Sequence, residues 1–319
     1  MEHTQRKHLI IPVKTAVWMN VLFGGITSSW RLLQGLQEMI GRCIGNNSDF
    51  CTLIGADMIK LKIVGKGEIE KACGFEGENK AELVYCSEYV DGDRIVLDTD
   101  KAGRYCVVRF EDSMREAFIY IPGRSIEFFI PPANNRPNYS PKSFTGMVHY
   151  IEARYATDEE ISKVKNLALN VYDQHENNTF YPHASANVET RGEAVFAARN
   201  AVDGMYANSS HGKYPYQSWG INRDPKAALT IDFGREVLVN EIRLTLRADY
   251  PHDNYWVSAD INFDDGSSET FKLEKSEKPQ CFQIKERKIK SLVLENLIKA
   301  EGESPFPALT QIEVWGVEA

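Results

Sequence analysis

Two stretches are the most informative about the fold of the second half of this chain: Asn200-Ala201-Val202-Asp203-Gly204 and, near its end, Ile312-Glu313-Val314-Trp315-Gly316. The first stretch places an acidic turn after an apolar run, and the second places one glutamate inside an apolar strand. More than a hundred residues separate them, yet a β-sandwich brings its first loop and its last strand together. Two carboxylates that converge with backbone carbonyls would form a site suited to calcium, which prefers oxygen ligands.

The residues after 229 alternate between apolar and polar side chains, as strands with one buried face do. Turn residues such as Asp264-Asp265-Gly266-Ser267 separate the alternating runs. No run in this part has the apolar spacing of a helix, so the second half is predicted to be all β. The predicted strands are residues 229–233, 237–246, 257–263, 269–273, 291–295 and 311–316.

The first half also alternates, over residues 59–63, 94–98, 104–110, 117–121, 125–130 and 146–155. Apolar residues at helical spacing predict one helix over residues 30–44, and Thr157 followed by three acidic residues predicts the start of another. Residues 131–141 are rich in proline and asparagine and are predicted to form a surface loop or linker. We therefore expect a mainly β chain. Residues 1–160 form a β-rich N-terminal domain of unknown role with one or two helices, predicted to be a second sandwich, and residues 161–319 form the C-terminal sandwich.

Several short motifs of the C-terminal half occur in an order that resembles a known superfamily. These marks are Asn166-Leu167-Ala168, Ala201-Val202-Asp203-Gly204 followed by Trp219, Leu229 to Gly234, Phe263 to Ser267, and Ile312 to Gly316. Residues 167–319 resemble the galactose-binding-like jelly roll of the discoidin, or coagulation factor V/VIII type C, superfamily. The similarity is strongest to family 32-type carbohydrate-binding modules.

The resemblance implies a structural calcium in the loop after the first apolar run. Asp203 and Glu313 would supply carboxylates, and Asn208 would supply an oxygen at a position where threonine or serine is more usual. The implied metal ligands are Asn200, Asp203, Met205, Asn208, Ile312 and Glu313. The alternative is that Glu313 faces solvent or pairs with a lysine.

The resemblance also implies a ligand site in the loops at one end of the sandwich. Residues 209–219 and 247–256 combine hydrogen-bonding and aromatic side chains, which suits the hydroxyl groups and the apolar ring face of a sugar. Trp219 could instead be a core residue, and Trp256 could pack under its loop. His183 and Arg191 could have the structural role of capping turns. The three histidines His183, His211 and His252 could also bind a transition metal. The candidate ligand residues are His183, Arg191, His211, Tyr216, Trp219, Arg247, Asp249, Tyr250, His252 and Trp256.

Composition narrows the classes of partner. The net charge is −8, and no basic cluster occurs, which argues against a nucleic-acid or membrane-surface partner. The six cysteines have no zinc-ligand spacing and are expected to be reduced. The N-terminal residues lack a clear cleavage site, so a cytoplasmic location is the default, with a secreted or cell-surface location as the alternative.

No nucleophile elbow, His-Glu-x-x-His helix or cysteine–histidine pair of recognisable spacing is present in the sequence. The sequence therefore predicts a non-catalytic carbohydrate-binding protein whose C-terminal loops hold a saccharide. Two alternatives remain open. The fold could serve as a protein-interaction or assembly module, including a homo-oligomer, or as an accessory part of a glycoside hydrolase system.

Overall fold

Two antiparallel sheets enclose the core of the first sandwich. The computed structural model describes residues 58–248, 254–302 and 304–319, so the predicted helix over residues 30–44 lies outside the described residues. The strands are β1 (Ile59–Gly65), β2 (Ile69–Cys73), β3 (Lys80–Tyr85), β4 (Arg94–Thr99), β5 (Arg104–Arg109), β6 (Ala117–Ile121), β7 (Ser125–Phe129) and β8 (His149–Tyr155). One sheet has the order β2-β1-β4-β7 and the other has the order β3-β8-β5-β6.

Alternation along these strands buries one face of each sheet. Ile59, Leu61 and Ile63 of β1 are fully buried, while the lysines between them are partly exposed. Burial of each large aliphatic side chain stabilises the fold by about 1.5–3 kcal/mol relative to exposure. The predicted linker over residues 131–141 contributes to the same core, because Tyr139 is buried there. This segment is therefore a loop that is exposed at residues 133–135 and anchored in the core at Tyr139.

A short helix, α1 (Asp158–Ser162), follows β8, as the sequence predicts. Thr157 and Glu160 form a capping box in which each side chain accepts a hydrogen bond from the other residue's backbone amide. Arg154 of β8 donates two hydrogen bonds to the Glu160 carboxylate, at 2.7 and 2.8 Å. These contacts fix the direction in which the chain leaves the first sandwich.

One continuous sheet forms the second sandwich in the described part of the chain. Its strands are β9 (Lys165–Asn166), β10 (His183–Ala186), β11 (Trp219–Gly220), β12 (Leu229–Leu246), β13 (Trp256–Phe263), β14 (Ser268–Lys272), β15 (Gln280–Lys299) and β16 (Ala308–Glu318). The order is β11-β16-β12-β15-β13-β14, with β10 beside β12 and β9 beside β16. Inward side chains from both halves of β12 and β15 join one hydrophobic cluster, so the sheet curls around a single core.

Gly234 lies within β12 where its pairing with β15 shifts register. Its φ of +66° is in the left-handed region, which favours glycine. A Cβ at this position would also collide with the ring of Tyr181. The long strand can therefore bend here only because the side chain is absent.

The two sandwiches share backbone and core contacts. Tyr120 of β6 and Tyr181 form an isolated antiparallel bridge with two hydrogen bonds of 2.9 Å. Tyr172 packs within the first core, with its ring centroid 5.0 Å from that of Phe110. The prediction of a mainly β chain with few helices is confirmed, whereas the domain boundary near residue 160 stays a prediction. None of the helices in the described ranges is long and apolar enough to cross a membrane.

Replacing Glu160 with glutamine tests the contribution of the α1 cap. The hydrogen bonds from Arg154 lower the pKa of Glu160 to about 2, from an ordinary 4.5. The stability from this depressed pKa is fully present above pH 4.5 and is lost as the pH falls toward 2. We expect Glu160→Gln to lower the free energy of unfolding by about 1–2 kcal/mol at neutral pH, measured by urea denaturation, with a smaller difference at pH 3.

Glu159→Gln is the matched control, because the Glu159 side chain forms no ion pair within the part of the chain that the structure describes. It should change the free energy of unfolding by less than Glu160→Gln does. An effect of Glu160→Gln that was the same at both pH values would contradict the assignment.

Candidate functional site

A cavity of about 470 Å³ opens among the loops that follow β10 and β11 and the loop that precedes β16. We call it the rim cavity. The side chains that define its chemistry are Arg191, Phe196, His211, Asn222, Arg223 and Phe306. Its lining combines aromatic rings with cationic and amide groups, and no aspartate or glutamate is among the described residues that line it.

Three residues of the rim cavity have left-handed backbone conformations, which residues other than glycine rarely adopt. The φ values of Arg191, Asn222 and Arg223 are +55°, +48° and +62°. The backbone amide of Asn222 donates a 2.9 Å hydrogen bond to Thr190 Oγ1. This hydrogen bond joins the two loops that carry the arginines. Such conformations cost about 1–3 kcal/mol each and are found in turns and at functional sites.

Both arginines lie over aromatic rings. The Arg223 guanidinium carbon is 4.4 Å from the ring centroid of Phe306, and that of Arg191 is 5.4 Å from the ring centroid of Phe196. Phe306 is 45% exposed and follows a proline and precedes another, which limits its backbone freedom. The cavity therefore presents an aromatic surface beside fixed hydrogen-bond donors.

A shallower groove adjoins the rim cavity and shares Arg191, Phe196 and His211 with it. We call it the rim groove. Tyr216 lines it, and so does Pro137 from the first sandwich. The Tyr214 amide donates a 2.6 Å hydrogen bond to the Pro137 carbonyl, so both sandwiches build this surface.

Three of the sequence-predicted ligand residues, Arg191, His211 and Tyr216, line these two surfaces. Two others, Trp219 and Trp256, lie in the core, with ring centroids 6.4 Å apart and exposures of 0% and 1%. Both tryptophans therefore differ from the predicted ligand role and match the alternative that they are core residues.

Arg247 also differs from its predicted ligand role, because its side chain is fully buried. Its guanidinium donates hydrogen bonds to the carbonyls of Ser210 and Tyr216. By these two hydrogen bonds Arg247 fixes the loop that carries His211. Arg247 is thus placed to support the rim rather than to contact a ligand.

His183 lies on β10 and does not line the rim cavity or the rim groove. Its Nδ1 is 2.7 Å from Asp173 Oδ1, and the other Asp173 oxygen accepts a hydrogen bond from the Ala184 amide. This arrangement matches the structural role left open for His183. Asp249, Tyr250 and His252 lie outside the described residues.

The predicted calcium ligand Asp203 is buried at the junction of the two sandwiches. Its Oδ1 accepts hydrogen bonds from the Met205 amide and from Gln311 Nε2, both at 2.9 Å, and its Oδ2 accepts one from Gln217 Nε2 at 2.8 Å. Gln311 Nε2 also donates to the Asn200 carbonyl at 2.7 Å. Desolvation raises the pKa of Asp203, while Arg199 and these donors oppose that rise.

The other predicted metal ligands have different partners. Glu313 Oε2 accepts a 2.7 Å hydrogen bond from Trp315 Nε1 and lies 3.7 Å from Arg243 Nη1. The Asn208 oxygen accepts a 2.8 Å hydrogen bond from Thr310 Oγ1. In this arrangement Glu313 pairs with an arginine instead of meeting Asp203 at a cation.

Gln311 is the residue that fills the position expected for the distal ligand. Its Oε1 accepts a 2.7 Å hydrogen bond from the Gly204 amide, which fixes its Nε2 toward Asp203 and the Asn200 carbonyl. Donors rather than oxygen ligands therefore face Asp203, and this donor set does not fit a cation. No group of three or more histidine, cysteine or acidic side chains suited to a metal occurs within the described ranges.

Comparison with known proteins gives structural neighbours only. No family model and no curated protein matches this chain. Chitosan-binding module 1 of a chitosanase/glucanase from Paenibacillus sp. IK-5 is similar, with 20% identity and a TM-score of 0.33, over 48% of this chain and 99% of that chain. A Streptococcus pneumoniae fucose-binding module, SpX-3, has 15% identity and a TM-score of 0.35, over 48% and 99%. The family 32 module of C. perfringens NanJ, in complex with galactose, has 18% identity and a TM-score of 0.32, over 41% and 91%.

The effect of calcium on the melting temperature shows whether Asp203 is satisfied by amide donors or binds a calcium ion. Because amide groups already satisfy its carboxylate, we expect the melting temperature to be the same in millimolar calcium and in a chelator. Gln311→Glu would place a second buried carboxylate beside Asp203 and should lower the free energy of unfolding by about 2 kcal/mol or more in the chelator. Differential scanning calorimetry in both buffers measures these effects.

Glu295→Gln, on the partly exposed surface of β15, is a control that alters a carboxylate far from Asp203 in the sequence. A melting temperature of the unaltered protein that rose by several degrees with calcium would support the metal that the family resemblance implies, since a ligand bound to the native state stabilises it.

Proposed function

We propose that this protein binds a saccharide, without catalysing its conversion, in the rim cavity and the rim groove. The observation that carries the proposal is the pairing of Phe306 with Arg223 in the lining of a cavity of about 470 Å³. A sugar ring has an apolar face and a ring of hydroxyl groups, so it needs an aromatic surface flanked by directional hydrogen-bond donors and acceptors.

The side chains of the rim cavity meet that need. Phe196 and Phe306 offer apolar surface, and Asn222 can both donate and accept hydrogen bonds. Arginine adds several N–H donors in a fixed plane, which suits vicinal hydroxyl pairs. The cavity volume lies within the usual range for small-molecule sites, about 300–1,000 Å³.

Pre-organisation favours binding at this rim. The hydrogen bond between Asn222 and Thr190 fixes one loop against another, and Arg247 fixes the loop that carries His211. Groups that are already held in place lose less conformational entropy when a ligand binds. The adjoining rim groove gives room for a second sugar residue, so we propose an oligosaccharide rather than a monosaccharide as the ligand.

Phe306→Ala tests the proposed aromatic platform. The side chain is 45% exposed and contributes little to the core, so we expect folding to survive. Loss of the apolar surface should weaken binding of the best ligand from a glycan array by about tenfold or more, which corresponds to about 1.4 kcal/mol. Isothermal titration calorimetry measures the dissociation constant, and circular dichroism checks the fold.

Phe75→Ala is the matched control, because Phe75 is 87% exposed and belongs to the first sandwich. Its affinity should equal that of the unaltered protein. The proposal would be wrong if no glycan bound to the folded protein, or if Phe306→Ala and Phe75→Ala bound the ligand equally well.

A further inference from the structure

The charges around the rim cavity contrast with those of the whole chain. The chain carries a net charge of −8, yet the charged side chains that line the rim cavity among the described residues are the arginines Arg191 and Arg223, with His211 beside them. Two arginines and no carboxylate among the described residues that line one cavity create a local field that attracts anions.

Arg223 is the stronger of the two candidates for anion binding. It forms no ion pair with any residue that the structure describes, and its partner there is the ring of Phe306. Its planar group lies over an aromatic ring, which leaves the N–H edge of the guanidinium available to a ligand that stacks on the same platform.

Arg191 differs because Glu193 accepts two hydrogen bonds from it, at 2.6 and 2.9 Å. Both side chains are exposed, at 60% and 46%. An exposed ion pair contributes about 1 kcal/mol or less, so a ligand oxyanion can take the place of the Glu193 carboxylate. Arg191 is thus a second donor. Its two hydrogen bonds to the Glu193 carboxylate show the geometry in which it would bind the oxyanion of a ligand.

Backbone strain gives an independent reason to assign these arginines a role. Both have φ values in the left-handed region, where arginine is uncommon. The Thr190–Asn222 hydrogen bond ties the two loops together beside them. Both arginines line the same cavity, so the strained backbone holds two like charges on one surface.

We propose that the saccharide bound in the rim cavity is anionic, and that Arg223, assisted by Arg191, binds its carboxylate or sulfate group. This inference rests on the proposed saccharide-binding function and specifies the ligand class. The shared chemistry is an oxyanion on a sugar ring. It would accept charge-assisted hydrogen bonds from the planar guanidinium, which are shorter and stronger than hydrogen bonds between neutral groups.

A glycan array distinguishes the possible sources of the oxyanion. The array should carry neutral glycans beside glycans with uronic acid, sialic acid or sulfate groups. We expect binding to be confined to the anionic glycans, and the carboxylated and sulfated sets identify which oxyanion is preferred. Equal binding of neutral glycans would overturn the inference and leave the proposed function intact. An array with no binding at all would overturn both.

Arg223→Gln then tests the residue. Glutamine keeps hydrogen-bonding capacity but removes the charge, so the affinity for the best anionic glycan should fall about tenfold or more. Arg223→Lys should restore part of the affinity because it keeps the charge. Arg124→Gln changes the net charge by the same amount on an exposed turn of the first sandwich and should leave the affinity unchanged.

Ionic strength provides a readout that a purely structural role would not change. Screening weakens exposed charge pairs, so the affinity of the unaltered protein for the anionic glycan should fall as sodium chloride rises, whereas that of Arg223→Gln should depend less on salt. Equal salt dependence of the two proteins, or unchanged affinity in Arg223→Gln, would overturn the assignment of Arg223.

Discussion

The buried carboxylate of Asp203 organises the loops of the second sandwich at its junction with the first. An ionised carboxylate that is removed from water and left without partners costs several kcal/mol, so the surrounding chain must supply donors. Gln311 comes from the last strand and Gln217 from the loop that precedes β11, and the Met205 amide comes from the same turn. One carboxylate thus ties together segments that are distant in sequence.

The same junction reaches the first sandwich. Arg115 donates hydrogen bonds to the carbonyls of Asp203 and Gly204, and Asn138 Nδ2 donates one of 3.0 Å to Asn200 Oδ1. These contacts hold the two sandwiches on either side of the Asp203 turn. Gln217 directly precedes Ser218, which lines the rim cavity, so the network also anchors one wall of the proposed ligand site.

The polar groups of the second sandwich divide into two sets with different roles. Asp203, Gln311 and Arg247 are buried and use their hydrogen-bonding groups on the protein itself. Arg191 and Arg223 are exposed and lie on strained backbone at the rim. The first set holds the loops in place, and the burial of apolar side chains in the core offsets the free-energy cost of burying these polar groups. The second set presents positive charge to solvent, where a ligand would be able to bind it.

The mainly β class could be predicted from the sequence, because period-two alternation and turn residues act over a few neighbours. The sequence also left a core position open for Trp219 as an alternative to a ligand role. It did not find Phe306 or Arg223, although the prolines on both sides of Phe306 were a usable signal, and it chose Glu313 where Gln311, two residues earlier on the same strand, meets Asp203. Alternation assigns a side chain to a face of a sheet but not to a partner across the fold. Those pairings follow from the tertiary fold, because they depend on which loops the bent strands β12 and β15 bring to one end of the sandwich.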